Sequence, residues 1–575
     1  MPTSGRRRWD WPSLRMPLAV SVSLAGQLLI ETWVMVEQVR SPQSLYLSFS
    51  KPWPVLELSA LINMAVFTVA FFLLITVTER VRNRLNSDAL YVPVTVLAGL
   101  ISWNFLRWLT LDVGNRVDDV FFGGLSLGMW LWRAGFLLSL VATPVALYSL
   151  VLKPGKVWCF FQTISLVLLP FALYRVATTA WQAAFQPGRD VVFTTKTQHA
   201  PAETVGRKRL VLWLIFDEMD YRATFESETA AWTSKSLRDL RNYSFHATRA
   251  FEPSDGTARA VPGYLVGRPV AHVRWDSPDD LMLQFVGDDK YNPWTAQQTL
   301  LHEAAGLHRT TAVLGYYHPY CRLFGGQVSE CEVLPDPERG ELQKWWSTLL
   351  SVPLYRAAFM QASLSLPLPR TEVRYDGVKF RAWTTWVQDH VTKRHTECAS
   401  QARNSLLQMV SDRKLDFVVA HLPFPHPPGL RHYPEPDGTA IDDPGYSDNL
   451  LAADHLLGET IALLRSMGRW DETTLIVTSD HSVRDFWLKH EFLDPSLREA
   501  IEKRREPTVP LLVKLPHQTE GMQFEKPFNA VLVHGIVRAA LRGELTSPEQ
   551  IAEYLDKNRT RFPLVTVKSG EASGF

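Results

Sequence analysis

An aspartate beside a histidine, closing a short β-branched run, is the first place where this chain could do chemistry. Thr473-Thr474-Leu475-Ile476-Val477-Thr478-Ser479 reads as a buried strand, and Asp480-His481 follows it directly. Open α/β sheets place ligands beyond the carboxyl ends of their strands, so both side chains stand where a ligand would sit. One carboxylate oxygen and one imidazole nitrogen together suit a divalent cation. Two further apolar runs end alike. Leu210-Val211-Leu212-Trp213-Leu214-Ile215-Phe216 leads into Asp217-Glu218, and Asp416-Phe417-Val418-Val419-Ala420 leads into His421. Taken alone, Asp217 could equally be a helix N-cap. Three strand ends carrying ligand-type residues point instead to one metal site. Glu218 and Asp220 either shape its field or face water.

A metal of this kind can activate a hydroxyl, because coordination lowers its pKa and makes it nucleophilic. The stretch from Glu252 to Arg268 reads as a polar turn entering a short helix, and it offers Ser254 and Thr257. Either residue could also serve as a plain N-cap. His421 and His426 flank Leu-Pro-Phe-Pro and precede Pro427-Pro428-Gly429, which predicts a stiff loop able to aim both rings. An imidazole of ordinary pKa titrates near neutral pH and could bind a phosphate or protonate a leaving alcohol. His490 is a further candidate of the same kind.

The elements that must position these residues form an α/β domain. Val509-Pro510-Leu511-Leu512-Val513 predicts a fourth strand, and apolar residues at helical spacing over Asn449–Met467 predict a helix. Strand, helix and strand in succession give a βαβ unit. Buried, unbroken apolar runs are the mark of a mostly parallel central sheet. The chain has 575 residues, too many for one ordinary domain. Residues 1–181 read as a transmembrane domain, 182–207 as a polar linker, and 208–575 as the catalytic domain.

Five stretches could cross a bilayer, which takes about 20 apolar residues: Pro17–Val36, Val55–Thr78, Ala89–Leu109, Ala134–Leu152 and Val157–Ala177. Arg6, Arg7 and Arg8, then Arg80, Arg82 and Arg84, then Lys153 and Lys156 fall on one side if the spans alternate. Basic loops stay in the cytoplasm, so five crossings carry everything after Trp181 outside it. A net charge of +1, with no basic stripe, gives no sign of a nucleic-acid partner. Cys321 and Cys331, ten apart in an extracytoplasmic loop, are expected to form a disulfide, and Cys398 to be buried.

Strand-Asp217, Thr257, a His- and Pro-containing segment, strand-Ser-Asp480-His481 and the later Val509–Val513 run follow the order seen in the alkaline phosphatase superfamily. Within it the chain resembles sulfatase-like membrane enzymes, the phosphoethanolamine transferases and lipoteichoic acid synthases, which also carry five N-terminal spans. The resemblance selects Thr257 over Ser254. Thr257 stands five residues before Pro262, as the transferases' nucleophile does before its proline, and ten before Gly267 of a Leu-x-Gly-Arg ending like that of sulfatases. His421 and His426 match the transferases' His-x4-His, and Tyr446-Ser-Asp448-Asn449 is similar to their Tyr-Asp-Asn helix start. The resemblance implies a phospho-alcohol transferase of the bacterial inner membrane with a periplasmic catalytic domain. Its donor would be a membrane lipid and its acceptor an envelope glycan or lipid. Asp217, Thr257, Asp480 and His481 would hold one divalent ion, zinc or manganese with zinc slightly favoured. Thr257 and His426 would be catalytic, and His421, His426 and His490 would bind substrate. A hydrolase of the same superfamily, phosphodiesterase or phosphatase, is the alternative. Two departures stand out. Thr257-Ala-Arg-Ala-Val lacks the Cys/Ser-x-Pro-x-Arg string that sulfatases oxidise, and Ser482-Val483 replaces the transferases' Gly-Glu.

Overall fold

The computed structural model describes residues 11–30, 33, 46, 55–117, 152–185, 194–196, 209–227, 234–277, 280–334, 381–427, 430, 445–484, 495–504 and 506–564. The chain divides into two compact units, one of residues 1–41, 51–189 and 342–379, the other of 42–50, 190–341 and 380–575.

The first unit is helical: α1 (Trp11–Leu28), α2 (Val55–Leu85), α3 (Tyr91–Val117) and α4 (Pro154–Phe185). Two of these contain stretches long and apolar enough to cross a membrane, Ala60–Leu85 and Pro154–Phe185, with mean hydropathies of 2.4 and 1.8. Val69, Leu73, Val77, Val167 and Leu173 point outward from them, as side chains facing lipid would. Inside the unit Ser102 donates to Gln27 at 2.8 Å, a polar tie between α3 and α1. The expected fourth span, Ala134–Leu152, lies outside the described residues except for Leu152.

The second unit is built on a ten-stranded mixed sheet. Its strands are β1 (Thr194–Lys196), β2 (Val211–Asp217), β3 (Phe245–Phe251), β7 (Thr311–Gly315), β8 (Glu330–Val333), β9 (Phe417–Pro425), β10 (Thr474–Ser479), β11 (Thr508–Lys514), β12 (Met522–Phe524) and β13 (Phe528–Asn529). The order is β1-β8-β7-β9-β2-β10-β11-β3-β12, with β13 also on β3. Strands β4 (Val270–Ser277), β5 (Asp280–Phe285) and β6 (Asn292–Pro293) form a small antiparallel sheet. From β8 through β7, β9 and β2 to β10 every pairing is parallel. Thus β2, β9 and β10 finish at one edge, which brings Asp217, His421 and Asp480 together. Successive side chains of β2 alternate between two cores: Val211, Trp213 and Ile215 pack into one, Leu212, Leu214 and Phe216 into the other.

Two expectations need correction. The stretch expected to be linker contributes β1, paired antiparallel to β8 over Thr194–Lys196. The stretch expected to be a stiff loop after His421 is still strand to Pro425. Its prolines cost no ladder bond to β7, whose pairing with β9 ends at Ala420. The disulfide Cys321–Cys331 is present with Cα atoms 5.4 Å apart, and Cys398 is buried.

Candidate active site

Asp217 ends β2 and Asp480 follows β10, the neighbouring parallel strand, so the two carboxylates meet across one sheet edge. Thr257 is the first residue of a helix, α5 (Thr257–Val266), and is buried. Its Oγ1 donates to Asp217 Oδ1 at 3.4 Å and lies 3.3 Å from His481 Nε2. Ser254 instead turns its hydroxyl to Asp255. Tyr264, two turns along α5, donates to the Ser479 carbonyl at 2.8 Å and so ties the helix to the end of β10.

In Asp480 and His481 one atom is pinned and another is left facing inward. Asp480 Oδ1 accepts from the amides of Glu218 (3.0 Å) and His481 (2.7 Å), while the buried Oδ2 has no hydrogen-bond partner. His481 Nδ1 sits 2.8 Å from the Ser482 carbonyl, which can only accept; Nδ1 is therefore protonated and Nε2 offers a lone pair. Ligand atoms of Asp217, Asp480 and His481 all lie within 4.8 Å of one another, close enough to share one ion. His421 repeats the pattern. Nδ1 meets the Tyr316 carbonyl at 3.0 Å, leaving a buried, unpartnered Nε2 that faces Asp480 Oδ2 at 3.9 Å. Two acceptors set face to face need a cation or a proton between them.

The charges say the same. Asp217, Glu218 and Asp480 are all buried, and the cation beside them is Arg484. Burial first, then Asp480 and Glu218, hold the Asp217 carboxyl well above the usual carboxylate range. Three carboxylates against one guanidinium leave the cluster two positive charges short, which one divalent ion would supply.

Arg484 is the residue the sequence reasoning passed over. Its amide donates to Glu218 Oε1 at 3.0 Å, and its Nη2 stands 3.4 Å from His481 Nε2. The same Nη2 is 3.6 Å from where a Cβ on Gly256 would be, so the guanidinium lies over the turn that presents Thr257. The signal was an arginine three residues after the Asp-His pair. Glu252 was also missed. Its buried Oε2 accepts from both the amide (2.7 Å) and the hydroxyl (2.8 Å) of Ser482, fixing the residue after His481, and burial pushes its carboxyl up to about 8.

His426 is set against Glu218, with Nε2 3.6 Å from Oε2, and burial together with Arg484 pushes its imidazole down to about 3. It rests neutral, as does His421, which burial also lowers. Both strand-end segments are braced by the helix Tyr446–Ser466, α6. Tyr446 donates to the Glu218 carbonyl at 2.7 Å, and Asn449 donates to the carbonyls of Pro425 and His426. Asp220 is not part of the cluster; it caps a short helix and pairs with Arg222. His490 lies outside the described residues.

The model of the type I phosphodiesterase / nucleotide pyrophosphatase family matches residues 325–564, a stretch holding His421, His426, Asp480, His481 and Arg484. The matched family is one of hydrolase- or phosphodiesterase-type enzymes, and the match covers less than half of the chain. Among solved structures it is similar to Ps i-CgsB in complex with k-i-k-neocarrahexaose (17% identity, 60% of this chain and 74% of that one, TM-score 0.35). It is also similar to an alkaline phosphatase superfamily protein from Vibrio parahaemolyticus (14%, 60% and 70%, TM-score 0.34) and to the phosphonate monoester hydrolase of Agrobacterium radiobacter (14%, 58% and 74%, TM-score 0.34). Likeness this slight carries no argument about substrate. No curated protein matches the chain.

Proposed function

We propose that the chain is a membrane-anchored, divalent-metal-dependent transferase that moves a phospho-alcohol group from a lipid to an envelope glycan or lipid. The group would be of phosphoethanolamine or phosphoglycerol type, carried in between as phospho-threonine on Thr257. The reading rests on one observation: a buried hydroxyl, Thr257 Oγ1, converges with Asp217 and His481 in a cluster short of positive charge. Asp217, Thr257, Asp480 and His481 would hold the ion, and oxygen plus imidazole donors suit zinc, slightly preferred, or manganese. Once bound, the ion supplies Lewis acidity to the hydroxyl and to the phosphoryl oxygens.

Thr257 attacks phosphorus and the lipid alcohol leaves; an acceptor hydroxyl then takes the group from Thr257. Arg484 meets the phosphoryl oxygens as they approach the Thr257 turn. His421 and His426 border the carboxylates as neutral rings and serve as hydrogen-bonding partners to the phosphate and the departing oxygen, with His490 a further substrate-binding candidate. The site's formal charge with one divalent ion is zero, which suits an ester carrying one negative charge. Five spans beginning in the cytoplasm would place the catalytic unit in the periplasm, on the bacterial inner membrane. Tethering there raises the effective concentration of a lipid donor in the same leaflet.

The family model favours a second reading, a phosphodiesterase with water as acceptor. Mass spectrometry of the purified chain after exposure to membrane lipids tests the proposal: a phospho-alcohol mass on a Thr257 peptide is expected, and an unmodified Thr257 in a chain that releases alcohol from lipid overturns it. Product analysis with and without an alcohol acceptor separates transfer from hydrolysis.

A further inference from the structure

Residues 42–50 belong to the catalytic unit although they lie between the first two predicted spans. Tyr46 is fully buried there, in the same core as Val211, Trp213 and Tyr264. Its ring meets Trp275 edge-on with centroids 5.0 Å apart, and Arg322 donates to its carbonyl. Its hydroxyl lies 3.1 Å from His318 Nδ1, and His318 Nε2 lies 3.1 Å from the Thr257 carbonyl. A carbonyl can only accept, so Nε2 carries the proton, Nδ1 is the acceptor, and the Tyr46 hydroxyl is the donor. His318 is itself fully buried against Trp294. The chain of contacts therefore runs from Tyr46 O–H to His318 and from His318 N–H to the backbone of Thr257.

We infer that Tyr46, in the segment between the first two predicted spans, is a positioning residue for the nucleophile, acting through His318 on the first turn of α5. The proposal rests on the reading of Thr257 as nucleophile and goes beyond it by making a part of the N-terminal region a working part of the site. A ring nitrogen with its proton fixed, and its other face satisfied by Tyr46, holds one donor on the Thr257 carbonyl. That contact fixes where Oγ1 stands against Asp217 and His481.

The test uses the full-length chain in detergent with bis(p-nitrophenyl) phosphate, a soluble phosphodiester that does not depend on lipid access. Tyr46→Phe keeps the ring in the core and removes only the donor, so it is expected to lower kcat about five- to tenfold, the effect of one hydrogen bond, with KM unchanged. His318→Gln keeps a donor for the Thr257 carbonyl without the tie to Tyr46, and in that background Tyr46→Phe is expected to be silent. The 15N spectrum of histidine-labelled protein gives a readout apart from turnover: Tyr46→Phe moves the His318 Nδ1 signal and leaves the Nε2–H tautomer. Equal kcat in Tyr46→Phe and the parent, a loss confined to KM, or full additivity with His318→Gln overturns the inference. Thr257→Ala is the control for the underlying reading: if it retains turnover, the nucleophile reading fails, whereas inactive Thr257→Ala beside unchanged Tyr46→Phe defeats the Tyr46 inference alone.

Discussion

Replacing Arg484 by glutamine should weaken catalysis and strengthen metal binding at once. Its Nε lies 3.9 Å from Glu218 Oε1. At an effective dielectric near 20, unit charges at that separation interact by about 4 kcal/mol. The side chain is 31% exposed, so solvent screening roughly halves this to about 2 kcal/mol, or about 30-fold. A phosphoryl oxygen brought to the Thr257 turn would sit at comparable range from the guanidinium. For Arg484→Gln, kcat/KM on bis(p-nitrophenyl) phosphate should therefore fall about 30-fold. A divalent ion held by His481 feels the same positive charge as repulsion, since Nη2 is 3.4 Å from Nε2. Its removal should tighten metal binding, measured by competition with a chelator of known affinity. Opposite signs are the diagnostic. If Arg484 merely braced Glu218, the substitution would loosen the cluster and both quantities would fall. Unchanged kcat/KM, or a metal affinity that falls with it, refutes the assignment.

Substrate charge gives a second expectation: a singly charged diester should be turned over faster than p-nitrophenyl phosphate at pH 8, where the monoester is a dianion, as parallel colorimetric assays would show. Glu252 predicts a pH dependence. Its folded pKa, about 8, is above the ordinary 4.5, so the native state holds a proton that the unfolded chain has lost between those values. The contribution is fully present below about pH 4.5 and is lost as pH rises through 8, on the order of a few kcal/mol. Glu252→Gln imitates the protonated form and should flatten the decline of thermal midpoint from pH 6 to 9. Disulfide loss is the fourth test. Cys321–Cys331 closes a loop of about ten residues, so the double serine variant should be less stable by about 3 kcal/mol, read from the urea midpoint of the catalytic unit. Because Tyr320, beside Cys321, lies 3.2 Å from His421 Nδ1, that variant should also lower turnover.

The strands that carry the cluster were legible because each is an unbroken apolar run ending in a ligand-type residue. Asp217, Asp480 and His481 could be read from that pattern, and the parallel register that unites them follows from burial on both faces of the sheet. Thr257 was legible only through its spacing to Pro262 and Gly267, since its local sequence is that of any polar turn. The path of the chain around His421 was not legible. Prolines argue for a loop wherever both edges of a strand are paired, and here one edge is released after Ala420. Arg484, Glu252, His318 and Tyr46 left no periodic trace, because each acts through a contact made by tertiary folding: Glu252 reaches Ser482 across 230 positions, and Tyr46 reaches His318 across 272.

The charges around the end of β2 compensate one another. Asp217 ends β2 with Glu218 immediately behind it. Glu218 adopts a positive φ of 66°, a costly conformation for a side chain of that size, and its amide, its carbonyl and one carboxylate oxygen are all taken up, by Asp480, Tyr446 and Arg484. A third buried carboxylate would be costly beside Asp217 and Asp480 without a matching cation. Arg484, three residues after His481, supplies it. Glu218 and Arg484 thus act as one pair in electrostatic terms. Removing Glu218 alone, as Glu218→Gln, should take one of three negative charges from beside the guanidinium and shift the balance toward anions, tightening inorganic phosphate as a competitive inhibitor. The double variant Glu218→Gln/Arg484→Gln should return inhibition toward the parent value. If the two substitutions instead act additively on phosphate inhibition, the charges are independent and the pairing argument fails.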